Sequence, residues 1–126
     1  MVTSERVFSG FSVDSVEEAE RFYGGTLGFD VSVNEMGILD IALPGGGRAI
    51  AYPKPTHEPA GFTILNLEVV DVDVAVAELN RAGVVTKIYD DSDLPTDATG
   101  VMRGHGPTIA WFRDPAGNVL SVIAAG

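Results

Sequence analysis

Few side chains in this chain can do chemistry. There are two histidines, His57 and His105, and no cysteine, so thiolate nucleophiles, disulfides and zinc-thiolate clusters are excluded together. His57 stands in the proline-rich stretch 53–59, and His105 lies between Gly104 and Gly106, beside Met102 and Arg103. Neither has a second metal-ligating side chain at i, i+4 spacing. His57 reads as a solvated linker residue. His105 reads either as an exposed loop residue or as a pocket acid or base, with Arg103 as a holder of anions. Glu68 and Asn66 alternate with apolar residues, and a carboxylate at such a place is solvated, paired or in contact with a ligand. Ser9, Ser12 and Ser121 have no histidine in a sequence context that suggests a triad. Asp90-Asp91-Ser92-Asp93 lacks the glycine and distal glutamate of a calcium loop. Pro44-Gly45-Gly46-Gly47 joins two strands, with no helix start to hold a phosphate, and reads as a turn.

These residues need a scaffold, and 126 residues with 45% hydrophobic content suit one domain around one core. Eighteen acidic residues against eight basic ones give a net charge of −10 and a pI near 4.3, which repels a phosphate backbone, so no nucleic-acid partner is expected. The first residues lack a basic region and apolar run, and acidic residues interrupt every long apolar stretch. A soluble cytoplasmic protein with no membrane partner is the expectation.

Residues 7–13 alternate and are rich in β-branched and aromatic types, which predicts a strand. Ser15 with Glu18 forms a capping box ahead of Val16, Ala19, Phe22, Tyr23 and Leu27, predicting a helix over 15–26. Residues 29–33, 38–43 and 48–52 read as three further strands. After residue 59 the pattern restarts: strand 63–69, helix 71–82, strand 84–89, strand 108–113 and a closing strand. Val13, Val16 and Ala19 match Val69, Val72 and Ala75 at one offset, and Gly47 is paired with Gly117. Two copies of one βαβββ module follow, about 5–54 and 62–126 around a linker at about 55–61. The second carries a long insertion, 90–107, of the kind that serves either as a lid or as exposed decoration.

The run from Val13 to Phe22-Tyr23, Leu27-Gly28-Phe29, the helix Val69–Gly83 and Trp111-Phe112-Arg113-Asp114-Pro115-Ala116-Gly117-Asn118, a DP-x-GN turn, carry a resemblance over nearly the whole chain. In this order and spacing the sequence resembles the vicinal oxygen chelate superfamily of glyoxalases, bleomycin-resistance proteins and extradiol dioxygenases. The resemblance implies an α+β fold in which two paired βαβββ modules form a cupped mixed sheet with helices on the outer face. It also implies a homodimer, and in the family's enzymes a divalent metal held by four strand positions facing the cup. Counted onto this chain, those positions are Phe8, Ala51, Ile64 and Ser121. None offers an imidazole or carboxylate, so neither a metal nor another cofactor is expected, nor a metal-dependent glyoxalase or dioxygenase activity.

Alternation puts Ile64, Asn66 and Glu68 on the face opposite Leu65, Leu67 and Val69, and the resemblance makes that face the cup. The same parity adds Phe8, Gly10 and Ser12, then Ala49, Ala51, Val119, Ser121 and Ile123, with Trp111 if Phe112 points to the helices. Such a half-apolar, half-polar lining suits an organic ligand, read by Phe8, Ser12, Asn66, Glu68, Arg103, His105, Trp111 and Ser121. The leading expectation is a metal-independent binding protein that sequesters or carries a small organic molecule, cationic or amphipathic if Glu68 contributes. The alternatives are a metal-free lyase or isomerase using Glu68 or His105 as acid or base, and a module that binds another protein.

Overall fold

Each helix starts where an oxygen side chain can cap it. The Ser15 hydroxyl accepts from the Glu18 N–H at 3.2 Å ahead of α1 (Val16–Glu20), and the Asp71 carboxylate accepts from the Val74 N–H at 3.1 Å ahead of α2 (Val72–Arg81). α1 runs on into a π-helical stretch, Arg21–Thr26, in which the Leu27 N–H reaches the Phe22 carbonyl five residues back at 2.9 Å. The wider turn brings the adjacent Phe22 and Tyr23 onto one buried face, where Tyr23 meets Phe11 at 5.6 Å between ring centres.

The structure is a computed structural model that describes residues 1–126. Its chain divides into two compact units, Met1–Pro59 and Ala60–Gly126. The first holds α1 and the strands β1 (Ser9–Val13), β2 (Asp30–Val33), β3 (Leu39–Ala42) and β4 (Arg48–Pro53), in the sheet order β1-β4-β3-β2. The second holds α2 and β5 (Thr63–Val69), β6 (Val101–Met102), β7 (Ile109–Arg113) and β8 (Val119–Ala124), in the order β5-β8-β7-β6. Each sheet is mixed, with one parallel pair, β1 with β4 and β5 with β8, and the class is α+β. The repeat extends to single bonds, because the residue just past β4 donates from Lys54 N–H to Val13 C=O, and the residue just past β8 from Ala125 N–H to Val69 C=O. No helix is long and apolar enough to cross a membrane.

Register fixes the faces. In the first sheet Ala51 pairs with Phe11 on one side and Leu39 on the other, and Ala49 with Ile41, all buried on the side that carries α1. Ala49 and Ala51 therefore belong to the core and not to the open face, which corrects the sequence reading. The error comes from the aligned glycine: Gly46 N–H bonds Leu43 C=O just as Gly117 N–H bonds Asp114 C=O, so Gly46, not Gly47, is the counterpart of Gly117. Moving the count back by one replaces Ala51 with Ile50, which pairs with Gly10 as Ser121 pairs with Asn66. In the second sheet Ala110, Phe112, Leu120 and Val122 are buried on one side, and Asn66, Glu68, Trp111, Ser121 and Ile123 share the other.

The expected strand over residues 84–89 does not form, and the sheet edge is the two-residue β6, inside what reads as the insertion. Local polar groups hold the 84–89 segment instead. The Asn80 amide donates to the Val84 carbonyl, and the buried Thr86 hydroxyl donates to the Thr99 carbonyl at 2.6 Å. Gly100 backs onto Thr86 so closely that a Cβ there would lie 1.9 Å from the Thr86 carbonyl oxygen, and its φ of +96° also requires glycine. The Asp97 carboxylate accepts from the Val101 and Thr99 N–H groups, each at 2.9 Å, and those bonds hold its pKa below the usual carboxylate range. Residues 84–101 are thereby tied into one folded strap.

Candidate functional site

On the open face of the first sheet, the side turned away from α1, three side-chain rows follow from the register. They are Asp30, Ala42 and Arg48; Ser32, Asp40, Ile50 and Gly10; and Tyr52 beside Ser12. Phe8, just ahead of β1, is 48% exposed and lies under the Arg48 guanidinium at 4.1 Å from its ring centre. Gly10 carries no side chain between Phe8 and Ser12, and the Ile50 and Tyr52 side chains take up that place: a Cβ on Gly10 would meet Ile50 Cγ1 at 3.2 Å. Tyr52 is 37% exposed.

His57 occupies this face, contrary to its reading as a solvated linker residue. Ser12 Oγ and His57 Nδ1 are 2.6 Å apart, both half-buried. The connection after β4 brings this about: the His57 N–H bonds the Lys54 carbonyl, and that tight turn folds the imidazole back onto β1. Forty-five residues separate the two groups in sequence, and a proline-rich stretch carries no periodicity that reveals where its side chains return. Ser12 is thus paired with a histidine, but with His57 rather than His105.

The second sheet's open face is more polar. Ser121 is fully buried, and its hydroxyl donates to Asn66 Oδ1 at 2.6 Å, which leaves the exposed Asn66 Nδ2 as the donor offered outward. Ser121 therefore positions Asn66 and has no accessible surface for a ligand. Glu68 lies one alternation further along β5, beside Ile123, exposed and without an ion-pair partner. Trp111, 9% exposed, meets Tyr89 edge-on at 5.4 Å between ring centres, so the folded strap supplies an aromatic neighbour for the chain's one tryptophan.

Two candidate residues stand apart from this group. Arg103 forms a 2.6 Å ion pair with Asp73 of α2 and approaches Asp97 at 3.6 Å, and Asp73 raises its pKa above the ordinary value. Its charge is engaged on the helix side and does not serve as an anion holder on the open face. His105 is exposed in the connection between β6 and β7, with no hydrogen bond or ion pair. In the acidic run, Asp90 and Asp93 share a hydrogen bond that pulls the Asp90 pKa down and pushes that of Asp93 up, an internal arrangement of the loop.

The donor set does not fit a metal. Phe8, Ile50, Ile64 and Ser121 stand at the four counted positions once the register is corrected, and three of them are hydrocarbon. The fourth, the Ser121 hydroxyl, is committed to Asn66. No group of three or more histidine, aspartate or glutamate side chains stands close enough to hold an ion.

Comparison with known proteins agrees with this architecture. TnmS3, an antibiotic binding protein from a Streptomyces species, superposes with a TM-score of 0.74 at 26% identity, over 100% of this chain and 99% of that one. A member of the glyoxalase/bleomycin resistance protein/dioxygenase superfamily from Sphaerobacter thermophilus gives a TM-score of 0.74 at 23% identity, over 98% of both chains. A lactoylglutathione lyase from Agrobacterium tumefaciens shares the fold at 15% identity, with a TM-score of 0.68 over 98% of this chain and 95% of that one. No curated protein sequence matches. The sequence model of one family matches residues 7–122, and the chain belongs to that family, the Glyoxalase/Bleomycin resistance protein/Dioxygenase superfamily.

Proposed function

We propose that this protein binds a small organic molecule without a metal, and sequesters or carries it rather than transforming it. The observation that carries the reading is the pair of open sheet faces. Each combines aromatic or aliphatic surface with a few oriented polar groups, Phe8, Ile50 and Tyr52 with Ser12–His57 in one unit, and Trp111 and Ile123 with Asn66 and Glu68 in the other. Few polar groups on apolar surface is the composition of a ligand site. The antibiotic-binding role of TnmS3, similar over the full length, supports the same class of function. Glu68 favours a cationic group on a ligand of the second unit's face. The 126 residues act as one domain, the functional unit is a homodimer and the setting is cytoplasmic.

Titration with proflavine, a planar cation, and with methyl 2-naphthoate, a neutral planar ester, tests the reading through Trp111 emission. Both are expected to quench it. Glu68→Gln weakens proflavine by about 1 kcal/mol, the low end for a charge-assisted contact at an exposed carboxylate, and leaves the ester unchanged. Binding indifferent to Glu68→Gln and Asn66→Ala by emission, and to Trp111→Phe by calorimetry, refutes the site. One observation favours a second reading, a metal-free lyase or isomerase: Ser12 and His57 form a proton-holding pair on the open face. Conversion of a bound compound, lost in His57→Gln with binding retained, would establish it.

A further inference from the structure

We infer that the Arg48 end of the first sheet's open face is a carboxylate subsite, so that this face takes a planar aromatic monocarboxylate. The inference rests on the reading of this face as a ligand site and adds the ligand's chemical class. Register brings Asp30, Ala42 and Arg48 into one row across three strands, with Ser32 and Asp40 in the next. Together with Arg6 they line a concavity of about 360 Å³. Arg48 is half-buried with its guanidinium over the Phe8 ring, 4.1 Å from the ring centre, and that guanidinium makes no hydrogen bond. Its ion-pair partner, Asp40, lies 3.6 Å from Nη2, beyond hydrogen-bond length, and Asp40 is itself engaged by the Asn34 amide at 3.3 Å.

A guanidinium seated over an aromatic ring, with a planar fork that makes no hydrogen bond, matches a carboxylate bidentately. Arg6 adds a second positive charge at the rim and Ser32 a hydroxyl donor. Asp30 and Asp40 set the upper limit on charge. Two carboxylates in the same concavity repel a phosphate or phosphonate dianion, whereas a monoanion meets two arginines and two aspartates in balance. The apolar body then has a defined place. Ile50 stands two residues along β4 from Arg48, about 7 Å away at strand spacing, with its half-buried side chain laid over Gly10. A ring system attached directly to the carboxylate reaches that side chain.

Isothermal titration calorimetry with 2-naphthoate and its methyl ester tests this on the intact chain, at about 0.15 M salt, where long-range repulsion by the net negative charge is largely screened. The acid is expected to bind about tenfold more tightly than the ester. Arg48→Met keeps apolar contact with Phe8 and should abolish the preference, while Arg48→Lys should keep only part of it. Arg48→Met/Asp40→Asn removes the repulsion from an unpaired Asp40 and should still show no preference; near-UV circular dichroism confirms that each variant is folded. Equal affinity of acid and ester for the unaltered protein, or a preference that survives Arg48→Met, overturns the subsite and leaves the binding face standing. Competition by inorganic phosphate at comparable concentration overturns the monocarboxylate class. Binding of neither compound overturns the face and the subsite together.

Discussion

The Ser121–Asn66 bond makes an asymmetric prediction about stability. Ser121 is fully buried and Asn66 is exposed, yet the exposed residue is expected to be the costlier one to lose. In Ser121→Ala the buried hydroxyl disappears along with its need for a partner, and water takes over Asn66 Oδ1. The loss is the net value of one hydrogen bond, about 0.5–1.5 kcal/mol. In Asn66→Ala the hydroxyl stays in the interior with its 2.6 Å acceptor removed, and the cost rises to about 1–3 kcal/mol, the penalty for an unsatisfied buried group. The double variant should lie close to Ser121→Ala alone, because the group that demanded a partner is gone. Urea unfolding monitored by far-UV circular dichroism, with unchanged slope, reads all three values. A cost for Asn66→Ala equal to or below that for Ser121→Ala, or strictly additive losses, refutes the reasoning and removes Ser121 as the group that orients Asn66.

Substitutions at two further positions probe the supports of the faces. Gly100→Ala places a Cβ 1.9 Å from the Thr86 carbonyl oxygen at a φ of +96°, and should cost more than about 2 kcal/mol while shifting Trp111 emission to the red as Tyr89 separates from it. An unchanged thermal midpoint with unchanged emission contradicts the strap. Asp114→Ala leaves the N–H groups of Ala116 and Asn118 without their 3.0 Å and 2.8 Å acceptor in the buried turn, and should cost about 2–4 kcal/mol in urea unfolding. Asp114→Asn keeps one acceptor oxygen and should cost about half as much.

The helices, the two-fold repeat and most strands are legible because they rest on local signals. Ser15 and Asp71 sit one position ahead of apolar helical faces, and β5 alternates over its seven residues with a single irregularity between Thr63 and Leu65. The rest is not legible, because a local signal is ambiguous or the partner is distant. Three consecutive glycines allow two alignments with Gly117, and pairing Gly47 instead of Gly46 turns Ala49 and Ala51 to the wrong side of the sheet, since a one-residue slip inverts every side chain. Residues 84–89 have strand-like types, but Gly100 and Thr99 come against them from outside any local window. His57 over Ser12 and Arg48 over Phe8 are both contacts across 40 or more residues, set by strand pairing that alternation alone does not reveal.

Amide chemical-shift mapping tests the central claim most directly. The protein labelled with nitrogen-15 is titrated with methyl 2-naphthoate, and every perturbed backbone amide is assigned. The account predicts saturable shifts concentrated on the open-face strands, at Gly10, Ser12, Ile50, Asn66 and Glu68, with α1 and α2 silent. Shifts confined to residues 72–81 or 90–107, or none up to the solubility limit of the ester, contradict it.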